Sequence, residues 1–275
     1  MSGRLAGLVM HKIISNPQYG DNMKRHNYSN DEWHLRTELA CCYRLIEHFN
    51  MTDLVYNHIT ARLPKKVDGK EVFLINGWGL HYSEITASNL IKVDINGVPL
   101  EETEFPLNPA GYVIHSAIHS ARPEVVCIIH THSYAGSAVS ALKDGLIPVD
   151  LQSLMFAGGV AYHELEGIAV DLDERSRLID DLGDQSVMIL RNHGLLTVGK
   201  SVGQAFRKIY YLERACRLQL DVMRTGAKIS LPSDDVAKHT AKQWDEGAAG
   251  QGVVDPIEWP SLYRLMERKD DTFKN

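Results

Sequence analysis

Val125-Val126-Cys127-Ile128-Ile129-His130-Thr131-His132 is a short apolar run that ends in two histidines one residue apart. Successive side chains of a β-strand alternate faces, so His130 and His132 project to one side, where two imidazoles can share an ion. A divalent metal is the simplest reason for that pattern, and a zinc-type site needs at least a third ligand. His193 is the candidate, in Val187-Met188-Ile189-Leu190-Arg191-Asn192-His193-Gly194-Leu195-Leu196: again an apolar strand, a histidine at its end, then a glycine. Two buried strands that deliver histidine to one edge of a sheet predict a three-imidazole site with an open position for water or substrate. That open position distinguishes a catalytic metal from a four-ligand structural one.

On the N-terminal side, residues 109–120 have helical spacing, with Val113, Ile114, Ala117 and Ile118 on the apolar side and His115 and His119 one turn apart. The pair has no nearby carboxylate or third ligand, so core-edge or solvated histidines are the plainer reading. His115 carries more weight, because its helix runs through Arg122-Pro123 directly into the His130 strand. Further back, Ser29-Asn30-Asp31-Glu32 has the form of a capping box, and Leu35, Leu39, Cys42, Ile46 and Phe49 follow at helical period. Residues 54–63 and 71–75 are rich in strand formers and predict a hairpin. Asn57 and His58 interrupt the first strand, where such residues satisfy backbone groups at a bend more often than they serve a site. Asn96-Gly97 between β-formers is a hairpin signal.

On the C-terminal side, a small-residue helix over 135–142 leads to a Gly-Leu-Ile-Pro loop and a further strand, and 173–182 predicts a surface helix. Residues 201–224 form the longest helical pattern, followed by a polar helix, a Gly-rich link at 247–252 and a charged tail whose Trp259, Tyr263 and Met266 can dock on this subunit or a neighbour. Early hairpins followed by strand/helix alternation predict an α/β fold with a central mixed sheet and helices on both faces. The expected organisation is an N-terminal arm at 1–28, one domain at 29–230, and a C-terminal helix and tail at 231–275.

With 275 residues and 44% hydrophobic content the chain can bury a sizeable core. Lys+Arg 29 against Asp+Glu 35 gives a net charge of -6 with scattered basic residues, which argues against nucleic-acid and anionic-membrane partners and leaves a small-molecule substrate. Cys41, Cys42, Cys127 and Cys216 form no disulfide framework and suit a reducing compartment. No apolar run reaches the roughly 18 residues of a membrane span, and the N-terminus is too weakly apolar for a secretory signal, so a cytoplasmic location is expected. There is no phosphate-binding Gly-x-x-x-x-Gly-Lys-Ser/Thr loop, Rossmann fingerprint or Gly-x-Ser-x-Gly elbow.

Taken together, Asn57-His-Ile-Thr-Ala-Arg62, Tyr82-Ser-Glu-Ile-Thr-Ala-Ser88, His115-Ser-Ala-Ile118, Ala121-Arg-Pro-Glu124, His130-Thr-His132 and Arg191-Asn-His-Gly194 resemble the class II aldolase/adducin family, over residues 32–224. The resemblance implies a three-layer α/β/α sandwich around a mixed, largely antiparallel sheet. It also implies a homo-oligomer, commonly a ring-shaped tetramer with active sites between subunits, and Zn²⁺ or another divalent transition metal on His130, His132 and His193. In aldolases of the fuculose-phosphate type an acid/base glutamate lies eleven residues before the Arg-Pro dipeptide, which is Gly111 here. Their phosphate-binding positions correspond to Tyr56, Asn57, Trp78, Gly79, Pro109 and Ala110, of which Asn57 and Gly79 suit substrate binding. A sugar phosphate is therefore not expected, and His115, Tyr112, Glu164 or a water must replace the carboxylate. Two functions remain: a metal-dependent lyase acting beside a carbonyl, by aldol cleavage or decarboxylation, and an adducin-like scaffold that keeps the metal site.

Overall fold

A computed structural model describes residues 28–168, 173–246 and 251–275; the predicted N-terminal arm except Tyr28 and most of the Gly-rich link lie outside the described residues. Helix α1 (Asn30–His48) starts where the Ser29 Oγ accepts from the Glu32 N–H at 3.2 Å. Only half of the expected capping box closes. The Glu32 carboxylate turns instead to Arg36, at 3.0 Å, and Lys92, at 2.9 Å.

Three antiparallel strands follow, β1 (His58–Arg62), β2 (Val72–Ile75) and β3 (Ile91–Asp94), then α2 (Pro109–Ala121), β4 (Cys127–Thr131) and α3 (Tyr134–Ser140). Beyond these lie β5 (Ala161–His163), α4 (Glu174–Leu182), β6 (Val187–Leu190), β7 (Gly194–Gly199), α5 (Val202–Arg224), α6 (Asp234–Glu246) and α7 (Trp259–Lys269). The strands form one seven-stranded sheet in the order β3-β2-β1-β4-β7-β6-β5, and every pairing is antiparallel except β5 with β6.

The pleat sorts the strand residues into two cores. Ile59, Ala61, Cys127, Ile129 and Leu195 pack with α1 and α5 on one face, whereas Ile128, Met188, Leu196 and Val198 pack with Ile114 and Ile118 of α2 and Leu178 and Leu182 of α4 on the other. The expected three-layer α/β/α sandwich follows from that division. His58, Thr60 and Arg62 alternate with Ile59 and Ala61, so β1 turns a polar stripe toward α2.

The structure differs from the sequence-based expectation in two further places. The strand expected after the Gly-Leu-Ile-Pro loop is a 3₁₀ turn at Ser153–Phe156, because Asp150 and Ser153 bind each other's backbone N–H groups at 2.9 Å and close the chain locally. His193 is in the turn of an unexpected hairpin: Asn192 adopts φ 55, and the chain returns as β7 beside both β6 and β4.

The C-terminal tail docks on its own chain. Trp259 donates to Glu38 of α1 at 2.8 Å, Phe273 is fully buried, and the Phe273 and Asn275 carbonyls accept from Ala87 and Ser88. No described helix is long and apolar enough to cross a membrane.

Candidate metal centre

His130 ends β4 on the α2 side of the sheet, His132 follows the strand, and His193 is carried in by the β6–β7 turn. The His130 Nδ1 is 3.0 Å from the Leu195 carbonyl and the His132 Nδ1 is 3.0 Å from the Asp53 carboxylate. Carbonyl and carboxylate oxygens only accept, so both Nδ1 atoms donate, which leaves Nε2 as the ligand nitrogen of each ring. Those two Nε2 atoms are 2.9 Å apart, and the His193 Nε2 is 2.9 Å from that of His132.

Two lone pairs facing each other repel unless a proton or a metal ion stands between them. Burial, and then the neighbouring His193 and His58, pushes the pKa of His130 far down, and burial followed by His132 lowers that of His193 to about 4. Three imidazoles with converging Nε2 atoms fit a divalent transition metal, whose bonds of about 2.0–2.1 Å to nitrogen set tetrahedral ligands roughly 3.3 Å apart. Small ring rotations accommodate that spacing.

The loop and helix around the triad hold it in place. Asp53 is itself fixed, its N–H donating to the Asn57 Oδ1 at 2.7 Å, while the buried Asn57 Nδ2 has no hydrogen-bond partner. Helix α3 clips the other side. At its start Gly136 N–H and Ser133 Oγ donate to the buried Glu213 of α5, and at its end Ser137 Oγ and Ser140 Oγ bind the His193 backbone C=O and N–H, each at 3.1 Å. A seven-residue helix thus connects the segments that carry two of the three ligands.

The other sequence-derived candidates are placed as follows. His115 and His119 do lie on one face of α2, but both bind the Thr60 hydroxyl at 2.8 Å, and the His115 Nε2 is 2.9 Å from the His58 Nδ1. They stand behind the triad rather than in it. The Tyr112 hydroxyl donates to the Ile95 carbonyl, which directs it toward the β3 edge of the sheet. Glu164 is exposed, 3.9 Å from Arg191, and shares the lining of a small cleft with His193. Gly79 has φ +105 and open space around it. Asn57 is tied to the triad through Asp53, whose N–H donates to the Asn57 Oδ1 and whose carboxylate accepts from His132.

Sequence reasoning missed Asp53 and His58. Asp53 is 79 residues from its partner His132, in a loop with no local signal. His58 occupies the strand register opposite His130, on the same face, a neighbourhood that only the pairing of β1 with β4 reveals. Its ring also accounts for Gly111, where an added Cβ would be 2.8 Å from the His58 Cγ and Cδ2.

Comparisons with known proteins give the family. A profile of the Class II Aldolase and Adducin N-terminal domain matches residues 37–220. This chain belongs to the class II aldolase and adducin family. Rat alpha-adducin is 44% identical over 237 residues, which cover 84% of this chain but only 32% of that adducin. An aldolase II superfamily protein from Pseudomonas syringae has a crystal structure that superposes with a TM-score of 0.85 at 46% identity, covering 91% of this chain and 99% of that one. The L-fuculose 1-phosphate aldolase of Glaciozyma antarctica PI12 superposes with a TM-score of 0.76 at 26% identity, covering 94% of this chain and 97% of that one. Aldolases of class II typically use a divalent metal, and His130, His132 and His193 are arranged to hold one.

Proposed function

We propose that the chain is a metal-dependent lyase of the class II aldolase type that breaks a carbon–carbon bond next to a carbonyl, by aldol cleavage or decarboxylation, in a substrate other than a sugar phosphate. The observation that carries this reading is the pair of pinned imidazoles whose unprotonated Nε2 atoms face each other at 2.9 Å. Three protein ligands leave a coordination position open, the catalytic rather than the structural pattern. When bound, Zn²⁺ or another divalent transition metal would polarise the substrate carbonyl and stabilise the negative charge that develops as the bond breaks.

The remaining steps fall to this chain's own residues. Asp53 keeps the His132 proton on Nδ1 and its lone pair toward the ion. Asn57 offers its unpartnered Nδ2–H to a substrate oxygen. Gly111 supplies no proton carrier, which favours decarboxylation, a cleavage that needs no hydroxyl to be deprotonated and takes from water the one proton that replaces the departing CO₂ on carbon. Leu54, Tyr56 and Tyr134, exposed at 69%, 51% and 81%, flank Asp53 and His132 in sequence. An apolar rim of that kind suits the homo-oligomeric, tetrameric assembly with shared sites that the family resemblance implies. Four buried, unpaired thiols suit the cytoplasm.

A second reading, an adducin-like scaffold that retains the metal site, is favoured by the 44% identity to alpha-adducin and by the missing carboxylate at Gly111. The experiment that separates the two is a screen of the metal-loaded protein against neutral and carboxylated hydroxycarbonyl compounds, reading released CO₂ and aldehyde. Release that disappears in His130→Ala supports the lyase. Metal-loaded protein with no turnover on any of these compounds leaves the scaffold as the better account.

A further inference from the structure

The imidazole of His58 has no role in the reading above, yet its surroundings are those of a functional group. Its ring abuts the triad, with its centroid 4.9 Å from that of His130. It is 2% exposed and held from behind by a buried series of polar groups. Its Nδ1 meets the His115 Nε2 at 2.9 Å, the His115 Nδ1 meets the Thr60 hydroxyl at 2.8 Å, and that hydroxyl meets the His119 Nε2 at 2.8 Å. These contacts fix the rotation of the ring. Its Nε2 makes no hydrogen bond to the described residues and is not among their fully buried unpartnered atoms, so this end of the ring keeps solvent access while Nδ1 is paired.

Gly111 gives the second observation. A methyl group there would collide with the His58 Cγ and Cδ2 at 2.8 Å, so α2 approaches β1 this closely only because residue 111 has no side chain. The space between α2 and the triad is filled from the strand by His58, and not from the helix.

We propose that His58 is a substrate-contacting residue of the three-histidine centre, the neutral imidazole whose free Nε2 hydrogen-bonds an oxygen substituent of a small hydroxycarbonyl or carboxylate ligand. This rests on the metal-site reading above. His115, Thr60 and His119 then act as positioning residues that hold the ring, which accounts for polar groups buried between α2 and β1 where an apolar contact would otherwise serve.

Glycolohydroxamate, a small hydroxylated chelator, is the probe. Zn²⁺ affinity is measured by chelator competition and probe affinity by calorimetry on the zinc-loaded protein, for wild type, His58→Ala and His58→Asn; asparagine keeps a donor toward His115 but has no counterpart of Nε2. Both variants are expected to keep wild-type Zn²⁺ affinity and to bind the probe about tenfold more weakly. Unchanged probe affinity overturns the proposal. So does a loss of Zn²⁺ affinity of the same size, which would make His58 a support for His130. Wild-type protein that takes up no Zn²⁺ overturns the proposal together with the metal reading, and is recognisable as that. If the variants do not fold, ¹⁵N resonances of wild-type His58 decide: Nε2 shifts on probe addition if the proposal holds, and an unmoved signal contradicts it.

Discussion

At the scale of the residue, the site depends on which nitrogen of each imidazole carries its proton. Asp53 sets this for His132, through the 3.0 Å contact to Nδ1. Asp53→Ala frees that ring to rotate and to change tautomer, and the expected result is a 10–100-fold weaker metal affinity, measured by chelator competition, with little change in the fold. The buried histidines behind the site make a second prediction. Burial first of all holds His58, His115 and His119 well below the usual histidine value of 6.5. They are neutral in the folded chain and titrate near 6.5 once unfolded, so the unfolded chain binds more protons below that pH. Stability is therefore full above pH 6.5 and falls as the pH drops below it, by up to about 1.4 kcal/mol per pH unit for each histidine. Urea unfolding at pH 7.5, 6 and 5 checks this; a flat profile would mean these rings are charged or exposed.

The triad was legible in the sequence because apolar runs ending in histidine and glycine advertise strand ends. Asp53 was not, since a contact spanning 79 positions leaves no periodicity to read. His58 was half legible: its place in the strand was clear, but whether a polar residue there serves a bend or a site depends on which strand lies opposite, and a single sequence does not show register.

At the scale of the element, the site depends on a β6–β7 turn pressed against the end of β4. Gly194 is a point of close approach, where an added Cβ would collide with the Thr131 carbonyl oxygen. Gly194→Ala must push two paired strands apart, and a destabilisation of about 1–3 kcal/mol is expected, read as a lowered denaturant midpoint, together with weaker metal binding because His193 and His132 move with those strands. The hairpin itself was hidden in the sequence. Asn192 at φ 55 makes the reversal, and Asn is compatible with many other conformations, so the sequence shows a strand ending at His193 but not that the chain folds straight back as a second strand. Helices α1, α2, α4 and α5 were easier, because amphipathic period over many residues is a redundant signal.

At the scale of the whole molecule, the C-terminal segment is part of the packing on α1. Trp259 is 5% exposed and bonded to Glu38, so Trp259→Ala removes a large buried ring and leaves the Glu38 carboxylate without that donor. A loss of about 3–5 kcal/mol is expected, measured by equilibrium unfolding. The aromatic residues of the tail marked it as a docking segment, but only the three-dimensional arrangement shows that the acceptor is the first helix, 221 positions away. The layered architecture was legible from alternation alone; the crossover order that brings β4 between β1 and β7 was not.

The central claim is that three histidines from β4 and the β6–β7 turn hold a metal ion. Its most direct test is elemental analysis of the untagged protein beside His130→Ala and His193→Ala. About one divalent transition metal per chain in the wild type, lost from both variants while they stay folded, is the predicted result. Folded wild-type protein that carries no metal and takes up no added Zn²⁺ would contradict it.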